Sequence, residues 1–190
     1  MVFGGASPDL SDAIGQTIAV ESPATQTIPV PTAEGLLLGR PIDAATVSLD
    51  EAVNQGRSLS GAILDNFGVV DATTPPNVGM FVTKRGSQSG PTSGIVLGIH
   101  PIVPWNVDFL PPPPGHLYKM TQQYEISFTA GPDGIFSRGG DSGSLVLQAD
   151  THTAVGLLWG GIRQGGLRAM MCDITIVEQR LGVTVAWSTP

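Results

Sequence analysis

Gly139-Gly140-Asp141-Ser142-Gly143-Ser144 is the stretch of this 190-residue chain whose residue types are best suited to chemistry. It sets one hydroxyl, Ser142, on a glycine-flanked turn that runs straight into the apolar Leu145-Val146-Leu147. Acyl transfer needs a nucleophile and nearby N–H donors for the developing oxyanion. Gly140 permits its backbone N–H to turn toward a substrate oxygen, and Ser142 contributes a second N–H. Gly143 lets the chain leave the turn without a side chain crowding Ser142. Asp141 is expected to point inward, where a carboxylate requires a buried cation or N–H partner. The G-x-S-x-G elbow of α/β-hydrolases is not matched, because residue 144 is Ser. From this stretch alone, an ordinary tight turn between strands stands as the other reading.

The elements that must hold this turn read as strands. Many short apolar runs are cut by Gly and Pro, which points to an all-β protein. Expected strands include Ile14 to Val20, Leu36 to Gly39, Ile42 to Leu49, Met80 to Lys84 and Ile95 to Ile99. Tyr124 to Phe128, Ser144 to Gln148 and Ala154 to Trp159 continue the series. Asp50 to Val53 suits one helical turn, and Gly61 to Leu64 fits either strand or helix. Pro23 to Pro31 is punctuated by three prolines, and Asp71 to Asn77 is the best candidate linker. A long connection from Ile99 to Tyr124 holds Pro111 to Pro114, which cannot donate ladder hydrogen bonds. Asp173 is a good N-cap for a C-terminal helix ending at Leu181, with Ile174, Val177 and Leu181 on one face.

Two further motifs flank the serine. Lys84 to Val96 reads K-x-G-x-x-S-G-x-T-x-G-x-V, and Gly156-Leu157-Leu158-Trp159-Gly160-Gly161 comes one strand pair after Ser142. With these the chain resembles the trypsin-like, chymotrypsin-fold serine peptidases, in particular their disulfide-free bacterial members and the related plant narrow-leaf-type proteins. The resemblance runs from about Phe81 to Gly161. Ser87 departs from the usual Arg and Gln88 from a small or apolar residue, both at turn positions. The resemblance implies a double β-barrel with a complete second barrel, an incomplete first barrel and a short C-terminal helix. Residues 1–76 are expected to form the partial first barrel, and 77–190 the second barrel with its terminal helix.

It also implies roles. Ser142 would be the nucleophile, and Gly140 and Ser142 N–H the oxyanion hole. Leu158, Trp159 and Gly160 would pair with an extended peptide as an added strand. Phe136, six residues before Ser142, would lie near the floor of the specificity pocket, where an aromatic argues against a preference for Arg or Lys. Pro41 to Val47 resembles the family's aspartate segment, which would make Asp43 the acid that orients a histidine. A strand-edge Asp in a turn after Pro41 is the competing reading of Asp43.

The general-base histidine is not where the resemblance expects it. In such peptidases it precedes the aspartate, yet no histidine precedes Asp43 here. His100, His116 and His152 all come later and read as surface or strand-end residues. Ser11 to Gln16 resembles the segment just after the histidine strand in relatives. The expectation is a peptidase fold that is inactive or weakly active as this chain alone, with a non-catalytic peptide-binding or scaffold module as the alternative. Unpaired strand edges of a partial barrel predict a homo-oligomer or a complementing N-terminal segment.

Composition narrows the rest. The net charge is −7 with no basic cluster, which argues against nucleic acid. A single cysteine, Cys172, excludes an intramolecular disulfide and reads as a buried core residue. The N-terminal MVFGGASPDL has no signal-peptide character, and no run approaches the ~18 apolar residues of a membrane span. A cytoplasmic location is therefore expected. No Cys/His spacing suits zinc and no carboxylate cluster suits calcium, so no metal or cofactor is expected. Trp105 and Trp187 read as packing residues.

Overall fold

The computed structural model describes residues 17–20, 28–32, 35–47, 62–63, 68–102, 118–161 and 167–185. Strands dominate. The N-terminal segment holds β1 (Thr17–Val20), β2 (Ile28–Thr32), β3 (Gly35–Arg40), β4 (Ala45–Val47), β5 (Ala62–Ile63), β6 (Gly68–Val69) and β7 (Ala72–Thr73). Then come β8 (Phe81–Gly86), β9 (Gly90–Ile102), β10 (Tyr118–Ala130), β11 (Leu145–Gln148), β12 (Thr153–Gly161) and β13 (Arg168–Asp173). Helix α1 (Ile174–Leu181) ends the series.

Six strands close on themselves. β8 pairs with β9, β9 with β10, β10 with β13, β13 with β12, β12 with β11, and β11 with β8, every pair antiparallel. Closure removes the free edges that an open sheet would leave. The N-terminal strands form no closed ring among the described residues. β1 pairs only with β4 and β5 only with β6, while the β2–β3 hairpin joins the main sheet through a parallel pairing of β3 with β10. Among the described residues the fold is thus all-β, with one closed barrel, N-terminal strands that do not close into a second, and a short terminal helix.

Side-chain alternation sorts the apolar residues into two cores. Val82, Val96, Ile126, Val146, Val155, Leu158, Ala169 and Met171 fill the barrel interior together with Phe136. Leu147, Ala154, Trp159, Met170 and Cys172 point to the other face of the same strands, against Ile42, Val70 and the α1 residues Ile174 and Val177. Adjacent residues such as Val146 and Leu147 therefore serve different cores, as a period of two requires. A sheet buried on both faces reads as a continuous apolar run instead of alternating. This is why Arg168–Asp173, buried from Ala169 onward, carries no alternating signal and is a strand beyond the sequence expectation.

Other differences have local reasons. β2 includes Pro29 and Pro31, yet it lies at the end of the strand order, where a missing N–H is tolerated. The expected linker at 71–77 is stitched to the barrel. β7 pairs in parallel with β12, and Asp71 and Thr74 N–H donate to the His152 and Ala154 carbonyls. β9 and β10 are longer than their apolar cores, so the connection between them shrinks to residues 103–117. Pro111 to Pro114, Trp105, Trp187, His116, Asp50 to Val53 and Ser11 to Gln16 lie outside the described residues. β10 turns a corner at Gln122, whose φ of 56° is left-handed. Before it the strand pairs with β3, and after it with β13. Asp173 caps α1 as expected, its carboxylate accepting from Thr175 N–H at 2.8 Å, and Gly182 closes the helix at φ 64°.

Candidate active site

The serine turn is built from glycine geometry and three short bonds. Gly140 and Gly143 adopt φ of 100° and 86°, a region that suits glycine. Asp141 N–H donates to the Arg138 carbonyl, and Ser144 donates through both N–H and hydroxyl to the Asp141 carbonyl. The turn is then fastened to β12, with Gly143 N–H on the Leu158 carbonyl at 2.7 Å and Leu158 N–H on the Ser144 carbonyl at 2.9 Å. The N–H groups of Gly140 and Ser142 make no such bond among the described residues. Both residues are exposed, with Ser142 at the lip of the turn.

Asp141 does point inward and is 1% exposed. One carboxylate oxygen accepts from Gln88 and Ser89 N–H at 2.8 and 3.1 Å. The other accepts from Arg138 N–H at 2.8 Å and lies 3.4 Å from Lys84 Nζ. Burial alone would raise the Asp141 carboxyl. Hydrogen bonds from Ser89, Arg138 and Gln88, and then the Lys84 charge, outweigh burial and hold it below its ordinary value, so it is ionised. Burial pulls the Lys84 ammonium below its ordinary value, while Asp141 pulls the other way. Lys84 Nζ also donates to Ser89 Oγ at 2.5 Å and stands 5.4 Å from the centre of the Phe136 ring. The β8–β9 hairpin thus supplies every one of these partners except Arg138 and Phe136. Its turn is a three-residue connection, Ser87-Gln88-Ser89, leading into Gly90 at φ 64°.

Lys84 is a site residue that sequence reasoning missed, although Asp141 called for a cation or N–H partner. The signal was available: Val82, Lys84 and Gly86 share the inward face of β8.

Of the other expected site residues, Leu158 and Trp159 bond directly to the turn. The Ser142 hydroxyl donates to the Trp159 carbonyl at 3.1 Å. Trp159 sits at a register shift between β12 and β13, and its indole N–H donates to Gln123 Oε1 at 2.6 Å. Leu158 faces the barrel interior, its backbone engaged with the serine turn. Gly160 pairs with Met170. Phe136 is fully buried in the barrel core, and its carbonyl accepts from Thr92 Oγ1.

Asp43 adjoins the buried Ile42 but is itself exposed, and its N–H donates to Cys172 Sγ at 3.2 Å. Gln123 ties this segment to the site. Its amide nitrogen donates to the Pro41 and Thr121 carbonyls while its oxygen accepts from Trp159. Gln123 carried no motif and was missed from the sequence; only the approach of β10 to residue 41 reveals it.

The described histidines are placed elsewhere. His100 Nε2 lies 2.6 Å from Glu125, whose other oxygen accepts from Arg168 at 2.9 Å. His152 is in the turn at the far end of β11 from Ser142. Among the described residues no group of three or more His, Cys, Asp or Glu is arranged to hold a metal ion.

No family model and no curated protein sequence matches the chain. Solved structures do. A glutamic acid specific serine protease that utilizes a histidine triad in substrate binding aligns at TM-score 0.53 and 21% identity, over 82% of this chain and 77% of that one. Thermobifida fusca Protease A aligns at TM-score 0.51 and 17% identity, over 76% of this chain and 67% of that one. A Cellulomonas bogoriensis chymotrypsin aligns at TM-score 0.45 and 20% identity, over 63% of this chain, and the match spans 56% of that protein. The first two show the fold, a chymotrypsin-like serine protease fold, and at these identities the fold alone.

Proposed function

We propose that this chain is a trypsin-like serine peptidase unit of the disulfide-free type, built for peptide-bond hydrolysis through an acyl-enzyme. Ser142 is the nucleophile, the Gly140 and Ser142 N–H groups bind the oxyanion, and the Leu158–Gly160 edge pairs with an extended peptide. Asp43 is the acid of the triad. The observation that carries this reading is the serine turn. Ser142 is exposed on it, the N–H groups of Gly140 and Ser142 remain unengaged by backbone, and Asp141 is ionised and clamped beneath.

A second reading has its own support. The Ser142 proton is directed at the Trp159 carbonyl, which cannot accept it as a base. Without a histidine before Asp43, the chain alone is inactive or weakly active. It then serves as a peptide-binding pseudo-peptidase, or gains its base from a complementing segment or a second copy. A triad lacking one member retains only about 10³–10⁴-fold catalysis over water.

A fluorophosphonate probe separates the two. Labelling that disappears in Ser142→Ala supports an assembled nucleophile. Absence of labelling, together with saturable binding of an extended peptide that Gly160→Pro abolishes, supports the binding module. Absence of both overturns the site assignment.

A further inference from the structure

We propose that the Ser87 hydroxyl is a positioning group for the oxyanion turn, anchoring Gly140 from outside the serine loop. This rests on the reading of Gly140 as an oxyanion donor. Two consecutive glycines, Gly139 and Gly140, leave this part of the turn with little steric preference of its own. Ser87 Oγ donates to the Gly140 carbonyl at 2.6 Å. On the other side of the same peptide, Asp141 N–H donates to the Arg138 carbonyl at 3.1 Å. The 140–141 peptide is therefore held at both its polar ends. Gln88 closes the third side: a Cβ placed on Gly140 would come within 2.7 Å of Gln88 Cγ. With carbonyl and Cα fixed, the Gly140 N–H is the polar group of this residue left for a ligand.

The division of labour within one hairpin turn is specific. Ser89 and Gln88 N–H serve the buried Asp141 carboxylate. Ser87 is exposed, and its hydroxyl meets the rim of the turn at the Gly140 carbonyl. Removing that hydroxyl leaves the Lys84–Asp141 pair intact, so the barrel keeps its stability while Gly140 loses its outer anchor.

The test compares the intact chain with Ser87→Ala and Ser87→Thr by amide hydrogen exchange in NMR spectra. In Ser87→Ala, exchange at Asp141 N–H should rise about tenfold, the factor expected for one lost hydrogen bond. Exchange at Gln88 and Ser89 should stay within about twofold, and Ser87→Thr should restore Asp141. Unchanged exchange at Asp141, or loss spread equally over Gln88 and Ser89, overturns the proposal.

Phenylboronic acid, monitored by the tetrahedral ¹¹B signal, supplies the functional arm. If the unaltered chain forms the adduct, Ser87→Ala should weaken it about tenfold and Ser87→Thr should rescue it; equal affinity overturns the role in the oxyanion turn. If the unaltered chain forms no adduct, the catalytic reading of Ser142 fails, and the exchange data still decide whether Ser87 anchors Gly140.

Discussion

The two ends of the proposed catalytic machinery are built to different standards. Asp141, beneath the serine turn, receives three backbone N–H groups from the β8–β9 turn and the loop before Ser142, and a buried ammonium from β8 of the closed six-strand barrel. Asp43 is exposed, its N–H rests on a thiol sulfur, and its segment is tied inward through Gln123 and the buried Ile42. The strands around it are short, and β1–β4 and β5–β6 stand as separate two-stranded pairs among the described residues. A two-stranded pair is marginal by itself, whereas a closed barrel shares every ladder. The proposed nucleophile is thus preorganised by the closed barrel that holds it. The proposed acid depends on the contacts its segment makes with that barrel.

That contrast can be broken at several points. The largest effect is expected from Phe136→Ala, which opens a cavity in the barrel core beneath Lys84. A loss of about 4 kcal/mol in urea unfolding is expected, and a loss below about 1 kcal/mol would mean the ring is not packed as described.

Lys84→Met removes the cation but keeps the volume, leaving a buried carboxylate with N–H partners only. A loss of about 3 kcal/mol is expected, with the serine-turn amides exchanging faster than those of β12. The same pair has a pH signature. Asp141 is held below its ordinary value of 3.8, so its contribution is complete above that value and disappears as pH falls through the lower folded value. Unfolding curves of the intact chain should lose stability below about pH 4, and Asp141→Asn should flatten that slope. An identical slope in the variant would place the acid sensitivity elsewhere.

Gln123→Leu tests the docked side. It strips partners from the Trp159 indole N–H and the Pro41 carbonyl, so a loss of about 2 kcal/mol is expected. Its distinguishing mark is local: chemical-shift changes should concentrate at residues 41–43 and Trp159 and spare Gln88 and Ser89. Uniform perturbation of both sides would remove the distinction between them. The smallest effect is expected at native-state exchange of the unaltered chain. Amides of β1–β4 and β5–β6 should open before those of β8–β13, and simultaneous opening would show one cooperative unit instead of two standards of construction.

Much of this was legible in the residues. Glycines flanking Ser142, the inward demand of Asp141 and the capping of α1 by Asp173 are local consequences of sequence, and the structure places each as expected. The all-β character came from the Gly- and Pro-cut apolar runs. The features that failed to show were those made by distant contact. β13 lacked alternation because both its faces are covered, and the prolines of Pro23 to Pro31 gave no strand signal for β2, which only the strand order reveals as an edge. The supposed linker at 71–77 gave no sign of its pairing with β12, since a polar Thr-Thr-Pro-Pro run is equally suited to a loop.

Sequence alone determined the turn chemistry around Ser142, the charge balance and the single cysteine, because each depends on residue identity or on neighbours a few positions away. Only the tertiary structure decided which cation meets Asp141, which hydroxyl anchors Gly140 and how the Asp43 segment reaches the barrel. Those partners lie 57, 53 and 82 positions apart for Lys84–Asp141, Ser87–Gly140 and Gln123–Pro41. Strand registers that close the barrel bring them within hydrogen-bond reach, and register is a property of paired strands, not of any one of them.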